Sequence, residues 1–206
     1  MSKTLHVVSI LDRSGSMTGS EREVIGAYNS FIETQKQLAK DKKIKMKTTL
    51  ILFDNIYEEV YSKVPVEQTP LLTSETYCTR GMTAYLDAIG KTIATFEGKQ
   101  KVIFFIETDG LENASKEYTL SSLKTLVEKK TKDGWDFNFV GADLSSADVS
   151  NMGSSIGISS DKTAAFAKSA SVYSTRNMMF ADSTVAYANK VETMQSTSND
   201  KAAAKE

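Results

Sequence analysis

Apolar positions along this chain change rhythm several times, from nearly continuous runs to stripes that return every three or four residues. Leu5-His6-Val7-Val8-Ser9-Ile10-Leu11 is β-branched and almost unbroken, which marks a strand covered on both faces. Between Ser20 and Lys40, the residues Val24, Ala27, Tyr28, Phe31, Ile32, Gln35 and Leu38 line one face, so the spacing predicts an amphipathic helix. Glu21 and Glu23 in its first turn, with Lys36 and Lys40 near its end, suit the helix dipole. Lys45 to Phe53 predicts a second strand and Asp54-Asn55 a turn. Ile56 to Val64, stopped by Pro65, then predicts an antiparallel return arm at a sheet edge.

After a loop at Pro70 to Arg80, helices are predicted at Thr83 to Phe96 and Thr119 to Lys132, with a polar loop at Leu111 to Glu117. Strands are predicted at Val102 to Ile106 and Trp135 to Val140, with a short helix around Ala147 to Met152. Ile156-Gly157-Ile158 is expected to form a small last strand. Lys162 to about Thr193 is expected to form one or two helices, jointed at Asp182-Ser183. Gln195 to Glu206 is polar and alanine-rich, so residues 1–194 are expected to form a single domain and 195–206 a disordered tail. Alternating hydrophobic strands and helices imply an α/β fold, a three-layer α/β/α sandwich. Its mainly parallel six-stranded sheet would carry the return arm as its one antiparallel edge strand. Such sheets bind ligands beyond the carboxyl ends of their strands.

Composition narrows the function classes. With 206 residues, 40% of them hydrophobic, the chain can bury one sizeable core. A formal net charge of −1 leaves no electrostatic footprint for nucleic acid. Cys78 is the one cysteine, so no internal disulfide can form, as fits a reducing compartment. Met1-Ser2-Lys3-Thr4 runs straight into a strand pattern, and no apolar run approaches the ~20 residues that span a bilayer. A cytoplasmic protein without membrane contact is expected.

The candidate chemistry sits in Asp12-Arg13-Ser14-Gly15-Ser16-Met17, just past the first strand. One carboxylate and two hydroxyls occupy alternate positions, and in a tight loop they can face one centre. Three such oxygens suit a hard divalent cation. Gly15 permits a backbone path that a side chain would oppose. Plainer readings stand beside this one. Ser14 and Ser16 can satisfy a turn and cap the next helix, Thr83 can be the N-cap of its own helix, and Asp109-Gly110 is a common turn pair. Glu107 and Asp143, on nearby strand ends, can support the ligands from behind, with a solvated rim the favoured reading. Arg13 and Arg80 flank the run, either to attract an acidic partner or as plain surface charges. Tyr77 and Tyr85 offer rim contacts, with packing favoured for Tyr85, and lone His6 reads as a strand residue. No Gly-x4-Gly-Lys-Ser/Thr loop for nucleotide phosphates is present, and no nucleophile–base pair is visible.

The run resembles the Asp-x-Ser-x-Ser signature of the von Willebrand factor A family, whose fold is shared with integrin inserted domains. The resemblance covers roughly Lys3 to Thr193 and looks like the compact intracellular bacterial or phage type. It implies a metal-ion-dependent adhesion site completed by Thr83, in Arg80-Gly81-Met82-Thr83, and by Asp109, after Val102-Ile103-Phe104-Phe105-Ile106-Glu107-Thr108. Glu107-Thr108 before Asp109 is a departure, since relatives usually carry apolar residues before the Thr-Asp-Gly. By resemblance the metal ligands are Asp12, Ser14, Ser16, Thr83 and Asp109. The implied ion is Mg2+, with Mn2+ or Ca2+ as alternatives, and it would be presented to a Glu or Asp carboxylate of a protein partner. Such domains serve as adaptors in assemblies, some with ATPase partners. The expected function is therefore a non-enzymatic, metal-dependent protein-binding module. The alternatives are a subunit that self-assembles through its metal and, less favoured, a metal-dependent phosphoesterase.

Overall fold

The computed structural model describes residues 4–97, 100–168, 176–177 and 179–191. Six strands form one sheet: β1 (Leu5–Asp12), β2 (Met46–Phe53), β3 (Tyr57–Pro65), β4 (Lys101–Thr108), β5 (Asp136–Ala142) and β6 (Thr163–Phe166). Their spatial order is β3-β2-β1-β4-β5-β6, parallel throughout except for β3, which runs antiparallel to β2 at the edge. The helices are α1 (Glu21–Lys42), α2 (Tyr85–Ala94), α3 (Leu120–Lys132), α4 (Ser146–Ser155) and a last helix, α5, over 179–191.

Alternation along the strands explains the layers. Val7 and Leu11 of β1, with Phe105 of β4, face α1 and α5, where they meet Tyr28, Phe31, Phe180 and Tyr187. The rings of Phe31, Phe105 and Phe180 pack together, with Phe105 and Phe180 4.3 Å apart between centroids. Val8, Ile10, Phe104 and Phe139 point the other way, onto Ile89 and Ile93 of α2, Leu123 and Val127 of α3, and Val149 of α4. Both sheet faces are thus covered, which is why the central strands are apolar at nearly every position. The three-layer sandwich with one antiparallel edge is the architecture expected from the alternation.

The chain end differs from its sequence reading. Ile156-Gly157-Ile158 is not a strand. Ile156 caps α4, Gly157 turns with a φ of 85°, and Ile158 is buried against the core. The last strand is instead Thr163–Phe166, inside the stretch read as helical; its two alanines carry little strand signal. Asp182-Ser183 is no joint either, since the helix runs through it. The tail at 195–206 lies outside the described residues. Among the described residues, no helix is long and apolar enough to cross a membrane.

β1 leads by α1 to β2 on one side, while β4 lies on its other side. That reversal opens a crevice between β1 and β4 at their carboxyl ends, where α/β sheets take ligands. Asp12 ends β1 and Asp109 follows β4 directly.

Candidate metal centre

Three loops meet over that crevice. The first, after β1, is tied to the second by Gly15 N–H to the Gly81 carbonyl at 3.1 Å and Arg80 N–H to the Arg13 carbonyl at 2.8 Å. The third, after β4, grips the second through Asn113. Its N–H donates to the Thr83 carbonyl at 3.0 Å, and its Oδ1 accepts the Thr83 N–H at 2.8 Å. Asp87 in α2 accepts the N–H groups of Lys116, Glu117 and Tyr118. Burial pushes the Asp87 carboxyl up, but those three donors together hold it below its ordinary value.

The side chains from these loops converge. Ser14 N–H donates to Asp12 Oδ1 at 2.6 Å, and Thr108 Oγ1 donates to Asp12 Oδ2 at 2.5 Å. The Ser14 and Ser16 hydroxyls lie 3.0 Å apart, and Ser16 Oγ donates to Asp109 Oδ1 at 2.6 Å. A Cβ on Gly110 would sit 3.0 Å from Thr83 Oγ1 and 3.5 Å from Ser16 Oγ, so the Thr83 hydroxyl reaches the same small space. All five residues singled out in the sequence stand in this cluster. The helix-capping readings are not realised, while Asp109-Gly110 does form a bend. Ser14 makes no side-chain cap bond, α1 starts from Ser20 and α2 from Ala84, so neither serine nor Thr83 caps a helix with its hydroxyl.

The Asp12 carboxyl lies out of water. Burial pushes the Asp12 carboxyl up to about 6, against the hydrogen bonds from Thr108 and Ser14, and the charge of Asp109 adds a smaller push the same way. Among the described residues, no group of three or more His, Cys, Asp and Glu side chains could hold a metal. Any ion here would therefore depend on the hydroxyls. One positive group already stands in the cluster. The Lys168 ammonium pairs with Asp109 and donates to the Ser16 carbonyl at 3.1 Å.

Several flanking residues play other parts than the sequence suggested. Arg13 is buried, not a surface charge; its Nε pairs with Asp54 at 3.0 Å and its Nη1 with Glu58 at 2.6 Å. Exposed Arg80 joins the same Asp54 at 2.8 Å. Tyr77 is no rim residue; it is buried, and its hydroxyl donates to the Asp12 carbonyl at 2.6 Å. Glu107 is not a solvated group. It shares the parity of Phe105, lies buried under α5 and pairs with buried Arg176. Burial pushes the Arg176 guanidinium down to about 9, which leaves it a cation at neutral pH. Tyr85 packs in the core, and His6 stands edge-on to Phe96. Thr108 and Lys168 are the site residues that sequence reasoning missed. The unusual Glu107-Thr108 pair was the one available signal for the first.

No family model and no curated protein sequence matches the chain. Its fold is similar to solved structures. The vWF domain of the type V pili tip protein Mfa5 from Porphyromonas gingivalis matches over 87% of this chain and 96% of its own, at 10% identity and a TM-score of 0.61. The pilus adhesin SpaC from Lactobacillus rhamnosus GG matches over 88% of this chain and 30% of its own, at 14% identity and 0.65. Proximal thread matrix protein 1 from the mussel byssus, in a structure with a zinc-occupied MIDAS motif, matches at 12% identity and 0.59. There the match covers 87% of this chain but 45% of the other, so this chain spans less than half of that protein's length. At such identities the likeness speaks for architecture alone, and that architecture is the von Willebrand factor A fold.

Proposed function

We propose that this chain is a protein-binding module that holds a divalent cation at the β1–β4 crevice and offers it to a carboxylate of a partner protein. One observation carries the reading. Oxygen donors from three separate loops, Asp12, Ser14 and Ser16, Thr83, and Asp109, crowd into one space, and the hydroxyls are not used for helix capping. Two carboxylates and three hydroxyls are a hard donor set, which suits Mg2+, with Mn2+ and Ca2+ as alternatives. The zinc-occupied motif named for the mussel protein supports a metal in this fold. Where the two carboxylates act through bound water, hydroxyls and waters fill the inner shell and leave a dication under-neutralised, so its chemistry would be attraction of an outside anionic oxygen. Ser16 is the exposed member of the set, so the cluster opens to solvent on that side. The Asn113 clamp and the Asp87 carboxylate, which accepts the loop N–H groups, keep the loops in place for that task. Adaptor duty in a larger assembly, including one with an ATPase, follows from this reading. A reducing compartment fits lone, exposed Cys78.

A non-enzymatic role is preferred because the one histidine stands far from the cluster. His6 lies six strand positions before Asp12, roughly 20 Å at the strand rise. The test starts with purified protein stripped by EDTA. Millimolar Mg2+, Mn2+ or Ca2+ should raise the melting temperature, because a ligand at 100 times its Kd stabilises by about 2.7 kcal/mol. Asp12→Ala and Thr83→Ala should lose that response while staying folded. A partner captured with Mg2+ should be released by EDTA, and replacing one of its acidic residues should end capture. No thermal response to any of the three ions would refute the reading.

A further inference from the structure

Lys168 stands at the candidate metal centre without any part in the donor set. Its ammonium pairs with Asp109, whose side chain is 1% exposed, and donates to the Ser16 carbonyl at 3.1 Å. The lysine is held there by its backbone. Lys168 N–H donates to Asp143 Oδ1 at 2.9 Å, and Asp143 N–H donates to the Phe166 carbonyl at 2.7 Å. Asp143 itself takes a left-handed φ of 55° to make that turn. The segment leaving β6 is thereby strapped across the end of β5, and its lysine arrives at the end of β4. A loose surface lysine would gain little from one exposed carboxylate. This one is 14% exposed and is delivered to a buried carboxylate by two backbone-anchored hydrogen bonds.

We propose that Lys168 is a tethered competitor for the metal: its ammonium occupies Asp109 in the metal-free protein, and a dication must displace it to bind. The inference rests on the metal reading above. Two cations cannot share so small a set of oxygens without strong repulsion in a poorly solvated site. Asp109 therefore exchanges one counter-ion for the other. Lys168 sets how much dication is needed.

Isothermal titration of the full chain with Mn2+ tests this, using wild type, Lys168→Met, Lys168→Arg and Asp143→Ala. Lys168→Met should bind Mn2+ at least tenfold more tightly than wild type, while Lys168→Arg, which keeps the charge, should not. The EDTA-treated Lys168→Met protein should also melt lower than EDTA-treated wild type, since Asp109 has lost its counter-charge. If Lys168→Met does not fold, Asp143→Ala makes the same comparison by loosening the strap, and it too should bind more tightly. Equal or weaker Mn2+ affinity in both loosened variants, with wild type binding, would overturn the role of Lys168 and leave the metal reading standing. Absence of binding in every protein would overturn the metal reading and this inference with it.

Discussion

The Glu107–Arg176 pair yields the sharpest test of how the site is braced. Glu107 immediately precedes Thr108, which holds Asp12, and Asp109 follows. Arg176 stands just before α5, donates to Asn177 Oδ1 at 2.9 Å, and lies over the Phe180 ring at 5.1 Å. Both charges are almost fully buried, at 1% and 4% exposure. Glu107→Leu leaves the guanidinium buried without its carboxylate, a loss of about 3–5 kcal/mol. That is a large share of the roughly 5–15 kcal/mol that a domain has in total. With a urea slope of about 2 kcal/mol/M, the midpoint should fall by about 2 M. The double variant Glu107→Leu with Arg176→Leu removes both charges and should cost less than Glu107→Leu alone. Urea unfolding followed by tryptophan fluorescence, completed as a double-mutant cycle, measures the coupling. If the double variant loses the sum of the two single losses, the charges are uncoupled and the bracing argument fails.

Other predictions are shorter. Burial, with smaller pushes from Lys47 and Lys63, holds His6 down at about 4, below its ordinary 6.5. The unfolded chain takes up that proton first, so stability present above pH 6.5 is lost as pH falls toward 4. The loss amounts to about 3 kcal/mol. His6→Phe should flatten that part of a pH-resolved unfolding curve, and an unchanged slope would refute the assignment. Gly110→Ala pushes a methyl against Thr83 Oγ1 and should weaken Mn2+ binding at least tenfold in calorimetry, with the fold intact by circular dichroism. Wild-type affinity would mean that Thr83 is not a ligand. Tyr77→Phe removes the donor to the Asp12 carbonyl and should cost about 1–2 kcal/mol in urea unfolding. A neutral result would show that water replaces the hydroxyl.

Local pattern carried the first five strands, the layers and the antiparallel arm, because each depends on neighbours within a few residues. The cluster residues were legible for the same reason, since Asp12, Ser14 and Ser16 are adjacent in sequence. What escaped was partnership across distance. Arg13 finds Asp54 41 residues away, Tyr77 finds Asp12 65 away, and Arg176 finds Glu107 69 away. A charged or phenolic side chain next to a loop reads as exposed until such a partner is known. Lys168 escaped through a different error. Thr163-Ala164-Ala165-Phe166 looks helical by composition, and the strand it forms is what aims the following lysine across the crevice.

The margins of the sheet bear on how copies or partners can join this molecule. β3 breaks register with β2 between Thr48 and Ile51, takes a left-handed φ of 54° at Lys63, and ends on Pro65. The opposite margin, β6, is four residues long. A bulged border and a stubby one both make poor templates for another chain's backbone. Among the described residues, growth by strand addition is therefore discouraged on either flank.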